Sequence, residues 1–196
     1  KEWLVVPPLK ADPGQPENLA STQSQIANRQ LVVSEVEPLE IHIGLHVPKR
    51  YDKVLEITEC LLQSEESNAI LNFVRSFARR EQLAVYSSDE DMGYLRFLVI
   101  RQSKRKQELM VNLVTFEDKP EIMKQMTKEL LDAVPAVTTV VNTINSKKAQ
   151  IAFGDREKVY AGEGIIHERL GNLLFTISTG SFFQTNTAQA EKLYAA

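Results

Sequence analysis

The chain has 196 residues, with 23 Lys+Arg against 26 Asp+Glu for a net charge of −3, and it is 43% hydrophobic and 25% charged. That length holds one domain with a sizeable core, or one domain and part of a second. No run approaches the ~18 consecutive apolar residues that span a bilayer, and the lone Cys60 closes no disulfide within the chain, which excludes a transmembrane helix and a secreted disulfide scaffold.

The N-terminus shows no basic-then-apolar signal segment, so a cytoplasmic location and a monomeric state are the expectations. With a small negative net charge, nucleic-acid binding has to come from a local basic patch. The chain opens Lys1-Glu2-Trp3 and closes on Gln189–Ala196, which has helix-forming composition and no Gly or Pro stop. It reads as a piece of a longer protein.

Residues 7–38 hold five of the eight prolines (Pro7, Pro8, Pro13, Pro16, Pro38) among Gln, Asn and Ser, and read as a long loop or insertion. Ile41, Ile43, Leu45 and Val47 alternate with His42, Gly44 and His46, the period of a half-buried strand that Pro48 ends; residues 53–57 add a short second piece. Ser64 offers an N-cap, Glu65 and Glu66 suit a first turn, and Ile70, Phe73, Val74 and Phe77 form one apolar stripe, predicting a helix over 65–82. Residues 94–101 and 109–115 are rich in β-formers and read as a hairpin around a polar loop. Asp118 as N-cap with Pro120 at the first helical position starts a second helix, which Val134-Pro135 stops; Val137 to Ile144 is another strand. The order β-α-β-β-α-β across about 40–145 predicts an α+β, ferredoxin-like domain of four antiparallel strands with two helices on one face. A turn at Gly154-Asp155 and short strands near 158–160, 164–168 and 173–177 follow.

No GxxxxGK[ST] and no strand-following GxGxxG is present, so no phosphate-cradling loop is visible. His42 and His46 in a strand stand about 13 Å apart, too far for one metal. Basic residues cluster between Arg96 and Gln107, where Arg96, Arg101, Lys104, Arg105 and Lys106 occur with no acid, a pattern that fits an RNA platform as well as a solvated hairpin tip. Cys60 has no Cys or His partner at metal spacing and reads by itself as a buried thiol. In Ser178–Asn186, at most one of the adjacent Phe182 and Phe183 can be fully committed to one face of a core. An exposed Phe beside Gln184 suits base recognition, and a core Phe pair before a helix N-cap fits equally.

Three stretches carry a resemblance. Phe175–Tyr194, containing Ser181-Phe182-Phe183-Gln184, resembles the segment leading into the catalytic domain of S-adenosylmethionine-dependent RNA uracil-C5 methyltransferases. Gly44–Gln63 resembles the family's central-domain motif, and Gly93–Arg101 its LRxLxIR strand. The resemblance leans toward the 23S ribosomal RNA branch. Covering about residues 40–196, it implies a central RNA-facing α+β domain over 40–178 and, over 179–196, the first helix of a truncated Rossmann-like methyltransferase domain, after the 1–39 segment that its composition marks as a Pro/Gln-rich loop or insertion. It further implies that Gln184 contacts S-adenosylmethionine and that Phe182 lies against RNA bases, with Arg96, Arg101, Lys104 and Arg105 facing ribosomal RNA. Cys60 matches the fourth ligand of a 4Fe-4S cluster whose other three ligands would lie upstream. In the family a Cys thiolate adds to uracil C6, C5 takes the methyl group, and a carboxylate removes the proton from a flipped-out base. Neither that nucleophile nor that base matches a residue here, so this piece alone is expected to be inactive. The alternative reading is a non-catalytic ferredoxin-like RNA-binding module.

Overall fold

The structure, a computed structural model, describes residues 2–6, 41–47, 50–148, 151–184 and 186–195. The Pro-rich stretch 7–38 read as a loop lies outside the described residues. In chain order the elements begin with β1 (Glu2–Val6), β2 (His42–Val47), β3 (Arg50–Glu56), α1 (Glu65–Arg80), β4 (Leu95–Gln102) and β5 (Leu109–Thr115). They continue with α2 (Pro120–Ala133), β6 (Thr139–Ile144), β7 (Arg156–Ala161), β8 (Ile165–Leu170), β9 (Leu173–Ser178) and α3 (Thr187–Ala195).

Local chemistry accounts for most boundaries. Ser64 caps α1 by accepting the Ser67 N–H at 3.2 Å. The stripe expected on α1 is the buried one, with Ile70, Val74 and Phe77 no more than 2% exposed. In α2, Pro120 opens the helix as expected, but Lys119 occupies the cap position without a side-chain bond. Asp118 instead pairs with Lys158 of β7, so a cross-element ion pair has displaced the local cap. Gly93 has φ +118°, and a Cβ there would stand 2.3 Å from the Val85 carbonyl oxygen, so only glycine fits the entry to β4.

Strand order departs from the ferredoxin-like one. Seven strands run β3-β2-β1-β4-β5-β6-β7, and β8 with β9 forms a separate antiparallel hairpin. β1 inserts between β2 and β4, pairing Val6 with His42 on one side and Glu2 with Val99 on the other. β6 lies parallel to β5, with Asn112 opposite Val141, instead of crossing to the far side of β2 as a ferredoxin-like sheet requires. The α+β class and the hairpin of β4 and β5 hold; the all-antiparallel four-stranded order does not.

The two faces of the sheet differ. Ile70, Leu71, Val74 and Phe77 of α1 and Met123, Met126 and Leu130 of α2 pack with Leu98, Ile100, Val111 and Leu113 in the main core. The opposite face carries Phe97, Val99 and Val114 in one small cluster, and Met110 beneath Ile166 and Ile177 of the β8–β9 hairpin in another. Strand alternation produces both sets from β5 alone. The hairpin with the segment after it is thereby mounted on the side away from the helices.

Glu56 ties β2, β3 and α1 together. It lies 2.8 Å from His42 Nδ1 and 3.0 Å from nitrogens of Arg75 and Arg79, while the buried Arg75 also donates to the carbonyls of Ile43 and Ile57. Burial raises the Glu56 carboxyl pKa, but the His42 bond and the two guanidiniums outweigh it and hold the group below its ordinary value. A carboxyl lowered in the fold stabilises fully above its unfolded-chain pKa and loses that contribution as pH falls through the folded one. Glu56→Gln is therefore expected to be less stable than the parent near neutrality, with the gap closing in acid. Urea midpoints measured across pH check this, and a gap independent of pH refutes it.

Candidate functional site

The basic loop between β4 and β5 is built on a buried carboxylate. Glu168 of β8 is 1% exposed; its Oε2 accepts the Lys104 N–H at 2.7 Å, and its Oε1 accepts those of Arg105 and Arg169 at 3.1 and 2.9 Å. Ser103, itself buried, closes the turn by accepting the Lys106 N–H at 3.0 Å. Lys104, Arg105 and Lys106 consequently project into solvent from a fixed backbone. Lys104 Nζ donates to Gln102 at 2.9 Å, and Arg105 pairs with Glu191 of α3 at 2.8 Å.

The other two expected RNA contacts sit differently. Arg101 is half-buried, and its guanidinium donates to the Thr179 carbonyl at 2.8 Å, holding the turn that starts the Ser181–Gln184 segment. Arg96 is a correction. It is only 3% exposed, donates to the carbonyls of Asn145 and Lys147 at 2.7 and 2.6 Å, and lies 4.3 Å from the Tyr86 ring centroid. The reason is a bulge: Leu95 pairs with Thr115 and Phe97 with Val114, leaving Arg96 as the extra residue, turned off the regular alternation. Its guanidinium is thereby committed to backbone carbonyls inside the fold and not to the exposed basic loop.

The adjacent phenylalanines divide. Phe183 packs on the Met110, Ile166 and Ile177 cluster with its ring centroid 5.7 Å from that of Phe175, whereas Phe182 is 87% exposed. A Ser178–Ser181 turn sets this up, with the Ser178 N–H donating to Ser181 Oγ at 3.0 Å. Phe182 and Phe183 border a cavity of about 900 Å³, together with Leu173, Phe175 and Tyr194. A second cleft of about 160 Å³ lies between Ser64 and Ser67 at the start of α1 and Arg101, Lys104 and Thr187. Gln184 is exposed and borders both. Aromatic walls around an amide able to donate and accept suit a planar heterocycle, so these residues fit one end of a nucleoside-bearing cofactor or a base.

Cys60 is half-buried against the main core, with its N–H donating to Asn68 Oδ1 at 2.9 Å and its carbonyl accepting from Asn68 Nδ2 at 3.3 Å. Among the described residues no group of three or more His, Cys, Asp or Glu is placed to hold a metal ion, and Cys60 is the only cysteine in the chain. One thiol does not make the donor set of a 4Fe-4S cluster.

Glu168 is a site residue that the sequence reading missed. The signal was present: Ile166, Glu168 and Leu170 share the buried parity of one strand, where a carboxylate is out of place unless it has bonding partners.

No protein-family model matches the chain. An uncharacterized RNA methyltransferase of Chlorobaculum tepidum is 40% identical over 173 residues, covering 88% of this chain and 35% of that protein. One from Halalkalibacterium halodurans is 32% identical over 146 residues, covering 74% and 32%. Among solved structures, the tRNA (uracil-54, C5)-methyltransferase of Pyrococcus abyssi, in complex with S-adenosyl-L-homocysteine, superposes with a TM-score of 0.63 at 29% identity over 78% of this chain and 36% of that one. The chain thus spans about a third of the length of the relatives it matches.

Proposed function

The chain belongs to the RNA uracil-C5 methyltransferase family, and from that premise we propose that it is the RNA-facing part of an enzyme that methylates C5 of a uridine in RNA. The observation that carries this is the exposed Phe182 beside Gln184 at the mouth of an aromatic cavity, with the Lys104–Lys106 loop tied to the adjoining α3. Lys104, Arg105 and Lys106 grip phosphates, Phe182 stacks on a base, and the Gln184 amide holds S-adenosylmethionine. When bound, that cofactor supplies an electrophilic methyl group. Arg101 and the Ser178–Ser181 turn fix where the Phe182–Gln184 segment stands. The nucleophilic Cys and the general base come from outside this chain, and residues 179–196 open the methyltransferase domain. The cluster reading of Cys60 needs three thiolates from elsewhere in the protein and enters none of these steps.

Within the family we favour 23S ribosomal RNA, on the Gly44–Gln63 stretch. Transfer RNA is the second reading, favoured by the substrate of the Pyrococcus abyssi neighbour. The test is tritium release from RNA labelled at uridine C5, using the full-length protein and S-adenosylmethionine, with 23S rRNA and tRNA transcripts offered separately. Stoichiometric release from 23S rRNA alone supports the first reading, and release from tRNA alone supports the second. RNA binding without release from either leaves a non-catalytic RNA-binding module.

A further inference from the structure

Among the described residues, Glu168 is the one buried carboxylate that reaches both halves of the site. Besides the three backbone N–H groups of Lys104, Arg105 and Arg169, it accepts the Thr187 hydroxyl at 3.1 Å, and Thr187 is the first residue of α3. Burial raises its pKa, but the N–H and hydroxyl donors outweigh that and hold it below the ordinary carboxylate value, so it is an anion at neutral pH. The surface repeats the connection less strongly, through Arg105 to Glu191 and from the Gly171 N–H to Glu191 at 3.4 Å.

We infer that Glu168 is a positioning residue that couples the grip of the Lys104–Lys106 loop on RNA to the placement of the Phe182–Gln184 segment against the target base. This rests on the proposed function for the identity of the two contacts, and on the geometry for the tether itself. The loop carries no core side chain of its own between Lys104 and Gln107, all four being exposed, so its backbone is set by the Glu168 bonds at Lys104 and Arg105 and by the Ser103 hydroxyl at Lys106. On the other side, α3 begins three residues after Gln184, and its buried Thr187 is anchored on the same carboxylate. A tug on the loop by bound phosphates is transmitted through Glu168 to Thr187, three residues past the recognition segment. A carboxylate meets four donors with acceptors alone. The amide of Glu168→Gln would turn an NH2 toward two of them.

The test uses the full-length protein and two readouts. Amide hydrogen exchange in Glu168→Gln is expected to quicken by about tenfold or more at Lys104 and Arg105 and also in α3. Unchanged protection at either place overturns the tether. The second readout is kcat/KM for RNA in Lys104→Ala, Phe182→Ala and their combination. In the parent background the paired effects should depart from the product of the single ones by about threefold or more, and with Glu168→Gln they should simply multiply. Persistence of the departure overturns the inference. Should Glu168→Gln fail to fold, Thr187→Ala cuts only the α3 arm: exchange should rise in α3 with the loop unchanged, and unchanged protection in α3 overturns the tether. If the parent transfers no methyl to RNA, the proposed function fails, and exchange in α3 then decides the tether alone.

Discussion

Arg96→Leu is expected to cost about 3 kcal/mol of stability, because it strands the buried Asn145 carbonyl and the part-buried Lys147 carbonyl, which a charged donor now satisfies, and removes the guanidinium from the Tyr86 face. For a chain of this size that lowers Tm by about 6 to 12 °C. The same change should leave the salt dependence of RNA binding where it was. Lys104→Ala or Arg105→Ala should do the reverse, each flattening the slope of log affinity against log salt by about 0.7 to 0.9 with little loss of stability. Urea unfolding and RNA titrations at several salt concentrations separate the two classes. A stable Arg96→Leu protein with a flattened slope would return Arg96 to the RNA surface and void its assignment as a clamp on the Asn145–Lys147 segment.

Arg96 also shows where sequence reading stops. Nothing in Tyr94–Arg101 distinguishes an arginine facing RNA from one on a bulge, since the distinction is one extra residue in the pairing with β5. Elements whose signal is local were legible: the Ser64 cap and stripe of α1, the β4–β5 hairpin, and Pro120 at the head of α2. Strand order was not, because it is settled by partners far apart in sequence. Five residues at Glu2–Val6 carry too little pattern to announce a strand, yet they separate β2 from β4 and remove the ferredoxin-like order. Asp118 failed as a cap for the same kind of reason, since its partner Lys158 lies forty residues on. At the site, adjacency left an exposed Phe and a core Phe pair equally open, and which ring faces solvent depends on the Ser178–Ser181 turn and on the Met110, Ile166 and Ile177 cluster. The role of Glu168 required knowing that the loop and α3 meet on the same strand.

Phe182 and Gln184 should separate cleanly in steady-state kinetics of the full-length enzyme, and this is the sharpest test of the motif. Phe182 is 87% exposed and so contributes little to the fold, whereas a stacked base is worth about 1 to 3 kcal/mol to a single-stranded nucleic-acid complex. Phe182→Ala should therefore lower kcat/KM for RNA by about 5- to 150-fold while leaving KM for S-adenosylmethionine within about twofold, a pattern expected where one substrate's contact is lost. Gln184 borders both cavities, and its loss removes a hydrogen bond instead of a stacking surface. Gln184→Ala should raise KM for S-adenosylmethionine by about 3- to 10-fold and leave the salt slope of RNA binding untouched. Unchanged cofactor affinity in Gln184→Ala would count against its role and move it to the RNA. A Phe182→Ala enzyme that loses cofactor and RNA affinity together would mean that the ring walls the cofactor's end of the 900 Å³ cavity and does not stack on a base. Phe183→Ala is the internal control: it opens the Met110, Ile166 and Ile177 cluster and should register first as lost stability.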